Sequence, residues 1–146
     1  MDASLDDLYR EIILDHNRNP RNYGALNEGN IVEIEEFNPL CGDKIVLYLQ
    51  SDKEIIVNVH FTGEGCSISQ ASASIMTDLM IGKKINEADE LLDKFRLYMT
   101  DLNNSEPDVN LGDIDAFQGV KKFPARVKCA GLAWNSLGKA LQELNS

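Results

Sequence analysis

Four side chains could do chemistry together: the thiols of Cys41, Cys66 and Cys129, and the carboxylate of Asp43 in the stretch NPLCGD. Three thiolates and a carboxylate are donors of the types that tetrahedral zinc accepts. Gly42 follows the first thiol, and Gly63 and Gly65 precede the second, so the backbone can bend sharply beside both. An odd number of cysteines does not suit a disulfide framework, which leaves free, metal-bound or reactive thiols. Spacing is less informative. Neither interval between successive cysteines matches a zinc-finger pattern, and a free cysteine is often a small core hydrophobe. By spacing alone, a metal site and a set of core thiols both stay open. No histidine can be assigned as a base to these thiols, which disfavours a cysteine hydrolase.

The elements that must position these residues can be read from apolar periodicity. Ser4 is expected to cap a first helix with Asp7 at its third position, and Leu5, Leu8, Tyr9, Ile12 and Ile13 form one apolar face. Asn19-Pro20 and Gly24 end it. Three strand-like runs follow. NIVEIEEF alternates, with Glu33 and Glu35 on a wet face; KIVLYLQ is nearly continuous and reads as central. EIIVNVHF is expected to put Ile55, Val57, Val59 and Phe61 on one face and Asn58 and His60 on the other. Short connections favour an antiparallel meander, with Cys41 in its first turn. Ile68, Ala71, Ile75 and Leu79 then recur at helical spacing, placing Cys66 at a helix N-terminus, where the macrodipole favours a thiolate. A further helix is expected to start at Asn86 as its cap and to run through Leu91, Leu92 and Phe95. TDLNNSEPDVNLGD reads as a loop. A last helix over RVKCAGLAWNSLGKALQEL should bury Ala130, Trp134, Leu137, Leu141 and Leu144, with Cys129 in its first turn. The expected fold is α+β: a small three-stranded antiparallel sheet with helices packed mainly on one face, as one domain over residues 1–146.

Composition narrows the function. Of the 146 residues, 14 are basic and 24 acidic, giving a net charge of −10, which argues against a nucleic-acid partner because phosphate binding needs basic patches. No apolar run is long enough to span a bilayer, so no membrane partner is expected. The acidic start MDASLDDLYREI lacks the features of a secretory signal, and a cytoplasmic location is the expectation.

The segments LDHNRNPRNYG, NPLCGD, TGEGCSISQASASIM and RVKCAGLAW, in this order, resemble the U-type iron–sulfur cluster assembly proteins along nearly the whole chain. The resemblance implies that Cys41, Asp43, Cys66 and Cys129 are the metal or cluster ligands. Scaffolds of the IscU-like branch carry a histidine immediately before the last cysteine, where this chain has Lys128. That residue, and the longer segment leading to the last cysteine, resemble the SufU branch, which is associated with tight zinc and with sulfur transfer from a cysteine desulfurase.

On that resemblance, the expected function is zinc-dependent sulfur transfer. A SufS-like cysteine desulfurase would supply a replacement ligand and free Cys41, whose thiolate would attack the desulfurase persulfide and carry sulfur to a downstream Suf-type scaffold. Cys41 is the candidate to move, because its turn can swing without unwinding a helix, while Asp43 holds the metal. Two alternatives stand beside it. One is an assembly scaffold holding a [2Fe–2S] cluster on the same ligands; the other is a structural-zinc interaction module without chemistry. Lys44, Arg126 and Lys128 neighbour the ligands in sequence and could offset the charge of the site, or be solvated side chains. His16, read as lying just past the first helix, suits a partner surface or a helix-terminal hydrogen bond. His60 reads as a surface residue. The small residues of SQASAS suit either a partner contact or tight helix packing.

Overall fold

The computed structural model describes residues 2–101 and 109–145, with side chains from residue 7 onward except those of 109 and 110. Helix α1 spans Asp2–Arg18. Strands β1 (Ile31–Asn38), β2 (Asp43–Asp52) and β3 (Ile55–Glu64) follow. Then come α2 (Ser67–Met80), α3 (Ile85–Thr100), two 3-10 segments at Val109–Phe117 and Val120–Lys122, and α4 (Pro124–Asn145). The fold is α+β, as the periodicity implies.

The sheet is an antiparallel meander in the order β1-β2-β3, so β2 is central. In register, Val32, Leu49 and Val59 form one row across the three strands, and Ile34, Leu47 and Phe61 another. These side chains form the inner face, which α2 and α4 cover; α1 packs on α2, and α3 on α4. The outer face carries Glu33, Tyr48 and His60 in one row, and His60 is partly exposed as expected of a surface residue. On α4, Ala130, Trp134, Leu137 and Leu141 are buried and Leu144 half-buried, following the helical stripe. Trp134 stacks on Phe95 with ring centroids 4.2 Å apart.

Several expectations are corrected. β3 does not alternate throughout: Ser51 pairs with Ile56 and Gln50 with Asn58, leaving Val57 as an extra residue. This bulge reverses the faces beyond it, so Ile56 is fully buried while Ile55 and Val57 are exposed. α1 begins before Ser4, which therefore lies inside the helix rather than capping it. Leu8 is exposed, and Tyr9, Ile12 and Ile13 are only half-buried; the side chain of Leu5 lies outside the described residues. α3 is capped at Lys84, whose backbone N–H donates to the Glu87 carboxylate at 2.9 Å, and Asn86 is already helical. The part of the expected loop at residues 102–108 lies outside the described residues, and its end is 3-10 helix. There Leu111, Ile114, Phe117 and Val120 are all buried. Gly112, at φ 54°, kinks the chain between Leu111 and Ile114, and Gln118 and Gly119 separate Phe117 from Val120, so short broken 3-10 runs rather than one regular repeat bury them.

Candidate metal centre

The first thiol is held by the β1–β2 hairpin. Asn38 pairs with Asp43 across its base, so Pro39, Leu40, Cys41 and Gly42 form the loop, with Gly42 at φ 69°. β-strand alternation, in phase with Ile45 and Leu47, sends Asp43 inward, where it is 0% exposed, while Cys41, in the loop outside both strands, is exposed. The second thiol comes from the junction of β3 and α2. Gly65, at φ 140°, leads into Cys66, which is the N-cap residue of α2 with extended backbone. A Cβ at Gly65 would collide with the Asp43 side chain, so glycine is required here for space as well as for conformation. The Cys66 backbone N–H donates to Asp43 Oδ1 at 2.8 Å, and its thiol to Oδ2 at 3.7 Å.

The third thiol, Cys129, is 2% exposed. It lies in the second turn of α4 rather than the first, because Pro124 starts that helix two residues before the expected Arg126. Cys129 Sγ donates to Cys41 Sγ at 3.1 Å. Burial, followed by its contacts with Cys41 and Asp43, pushes the Cys129 thiol well above the ordinary cysteine range. The candidate ligand atoms of Cys41, Asp43 and Cys129 all lie within 4.8 Å of one another, and Cys66 joins them through Asp43. All four residues singled out in the sequence thus meet at one end of the sheet.

Asn38 is a further member that residue type alone did not reveal. It is buried; its side-chain amide donates to Cys129 Sγ at 3.5 Å, and its Oδ1 accepts from the Leu40 N–H at 3.3 Å. The Cys41 N–H donates to the Asn38 carbonyl at 3.2 Å. Its place as first residue of NPLCGD was the available signal. Tyr23 supports the approach to Cys66, with its ring edge-on to Phe61 at 5.1 Å and its hydroxyl donating to the Gly63 carbonyl at 3.1 Å.

The cations adjacent in sequence do not surround the ligands. Lys44 follows Asp43 and so points to the outer face, where it approaches Glu35 at 3.9 Å and the Phe37 ring. Arg126 lies over Phe123, and Lys128 is exposed. His16 sits within the last turn of α1 and is 4% exposed, so it offers no surface to a partner. It hydrogen-bonds Ser74 at 2.8 Å through Nδ1 and Asp113 at 3.0 Å through Nε2. The small residues of SQASAS are buried against the molecule itself, with Ser72 bonded to the Ala130 carbonyl and to Trp134.

The family model of the NifU-like N-terminal domain matches residues 8–130. The chain is 48% identical over 141 residues to the zinc-dependent sulfurtransferase SufU of Bacillus subtilis (strain 168), covering 95% of this chain and 92% of that protein. It is 39% identical over 140 residues to the iron–sulfur cluster assembly scaffold protein IscU of Streptococcus pyogenes serotype M1, covering 96% and 86%. Among solved structures, a putative SUF-system scaffold protein from Fervidobacterium islandicum AW-1 superposes with a TM-score of 0.80 at 39% identity, over 90% of this chain and 94% of that one. The N-terminal part of a NifU-like protein from Brucella abortus shares the fold, with a TM-score of 0.83 at 24% identity over 96% of each chain. With a family match that spans all three cysteine-bearing segments except the rest of α4, the chain belongs to the NifU-like N-terminal domain family.

Proposed function

We propose that this protein is a zinc-dependent sulfurtransferase of iron–sulfur cluster biogenesis, taking sulfur from a cysteine desulfurase on Cys41 and passing it to a cluster-assembly scaffold. The observation that carries this reading is the asymmetry of the site. Cys41 is exposed on a hairpin loop, while Asp43 and Cys129 are buried against it. A purely structural metal centre needs no such accessible ligand.

The residues present fit zinc. Among the described residues no ion pair reaches the buried Asp43 carboxylate. A buried carboxylate beside three thiols is unfavourable without a cation, and these are donors that zinc accepts. Cys41, Asp43, Cys66 and Cys129 would hold the ion, which when bound favours thiolate over thiol without redox chemistry of its own.

The residues divide the work. Cys66 is fixed by the start of α2 and Cys129 by α4, so neither can leave without disturbing a helix. The Cys41 loop can move about the hairpin base. In the transfer step the Cys41 thiolate attacks the outer sulfur of the donor persulfide. A new S–S bond forms on Cys41, the donor's S–S bond breaks, and the donor cysteine leaves as a thiolate. The proton on the outer sulfur stays with it, and no external oxidant is needed. Transfer to the scaffold repeats the exchange with Cys41 as the donor.

Replacing Cys41 with Ser tests the assignment. The variant is expected to keep the fold, by circular dichroism, and to lose all stimulation of cysteine desulfurase turnover. Stimulation at the wild-type level would sink the proposal. Metal and sulfide content of the anaerobically purified protein separates the alternative: one zinc and no acid-labile sulfide fits sulfur transfer, whereas equal iron and sulfide would support the scaffold role.

A further inference from the structure

Beside the metal centre runs a cleft of about 510 Å³, bounded by α1, the start of α2, the second 3-10 segment and the start of α4. Ile13, Ile68, Val120 and Phe123 contribute its apolar wall, and half of the Phe123 surface is exposed. Its charged lining is Arg10, Lys122 and Arg126, with no acidic side chain among the lining residues. In a chain with 24 acidic and 14 basic residues, a cleft with three cations and no acid is a departure from the rest of the molecule. Among the described residues none of the three forms an ion pair within the chain. Asp115 is close enough to raise the Tyr9 hydroxyl's proton affinity, after the effect of burial, but does not line the cleft.

The cleft also has a fixed relation to the thiols. Ser67, immediately after Cys66, forms one end, and Arg126 lies one helical turn before Cys129. Whatever occupies the cleft is therefore beside the cysteines. The molecule that must come to Cys41 is the sulfur donor, a step that rests on the sulfur-transfer reading above.

We propose that this cleft is a docking groove for an acidic surface segment of the cysteine desulfurase, anchored by one apolar side chain against Phe123 and Val120. The apolar wall removes the anchor from water, and the cations at the rim select a negatively charged segment and speed its encounter. Many molecules of an acidic protein repel one another, and the cationic groove gives an acidic partner one approach orientation, in which the exposed Cys41 end faces it. Docking and chemistry are thus assigned to different residues: the groove sets how tightly the partner is held, and Cys41 sets what happens next.

The test uses the full-length, zinc-loaded protein carrying Arg10→Glu and Lys122→Glu, both at exposed positions, and the SufS-type cysteine desulfurase encoded by the same organism. The concentration of this protein giving half-maximal desulfurase stimulation is expected to rise about tenfold or more, with the maximal stimulation recovered at saturation. Half-saturation by the wild type should weaken with added salt, and that of the variant should do so far less. Zinc content and melting temperature serve as checks on the fold, and Lys53→Glu, at the distant β2–β3 turn, should behave as wild type. A double variant that matches wild type within twofold overturns the groove while leaving sulfur transfer intact. A wild-type protein that stimulates no desulfurase overturns the functional reading, and the groove's occupant with it. Loss of a wild-type homodimer in the variant, with half-saturation unchanged, would assign the cleft to a second copy of this chain and also overturn the proposal.

Discussion

Asn38 links the loop that bears Cys41 to the buried Cys129. Its Oδ1 holds the Leu40 N–H, within the loop that bears Cys41, and its amide reaches Cys129 Sγ. Under the proposed transfer, the amide would still reach the buried sulfur after Cys41 had left it. Asn38→Ala removes both contacts, and zinc affinity should fall about 10–100-fold, as for the loss of other groups that orient metal ligands. Competition with a chromophoric chelator measures this; an unchanged affinity would show that the amide is incidental. The three cysteines stood out in the sequence by type and Asp43 by its place beside Cys41 in the turn, and the family resemblance grouped the four as ligands. Asn38 did not stand out, since its role comes from the register that sets it opposite Asp43. For Lys44 the sequence left charge compensation and a solvated side chain both open, and strand alternation decides for the latter, since neighbours on a strand face opposite ways.

At the scale of elements, α2 is a central helix with an unusually polar burial. Ser69, Gln70, Ser72, Ser74 and Thr77 are all buried on it. Ser72 Oγ donates to the Ala130 carbonyl at 2.6 Å and accepts from Trp134 Nε1 at 3.1 Å, tying α2 to α4 where Cys66 and Cys129 must meet. Ser72→Ala leaves the indole N–H buried without this partner and should cost about 1–3 kcal/mol in denaturant unfolding. Against the neighbouring 3-10 segment, the α3 residue Tyr98 donates to the Asp115 carbonyl at 3.4 Å. Burial first, and then the Asp115 charge, push its phenol above the ordinary tyrosine range. The folded protein therefore holds this proton more tightly than the unfolded chain does. Stability from Tyr98 is intact below about pH 10 and declines as pH rises above it. Tyr98→Phe should flatten the alkaline fall in stability, measured as unfolding free energy from pH 9 to 11. Helices α2 and α4 and the order of strands were legible because their apolar repeats are long. The outer end of β3 was not: a period-two reading assumes an unbroken ladder, and the bulge at Val57 breaks it.

For the molecule as a whole, the candidate ligands join parts of the chain that are far apart in sequence: the β1–β2 hairpin, the start of α2 and the second turn of α4. A bound ion would hold these parts together, so it should stabilise the folded state by mass action. Each tenfold rise in free zinc above its dissociation constant is expected to add about 1.4 kcal/mol, seen as a melting temperature that climbs with buffered zinc concentration. A melting temperature indifferent to zinc would count against a site built from these three segments.

The contacts of His16 have a consequence for how sites in proteins of this shape are found. A histidine between a serine hydroxyl and a carboxylate, with bonds of 2.8 and 3.0 Å, would satisfy a distance search for a hydrolytic triad. Here the ring is turned around, presenting Nδ1 to the hydroxyl, and Ser74 is sealed in the interior, where its Oγ also accepts the Arg21 N–H at 2.8 Å. No ester or amide can reach it. The same three residue types that cut bonds elsewhere serve in this molecule as a rivet fastening α1 to α2 and to the 3-10 segment, and solvent access is what tells the rivet from the blade.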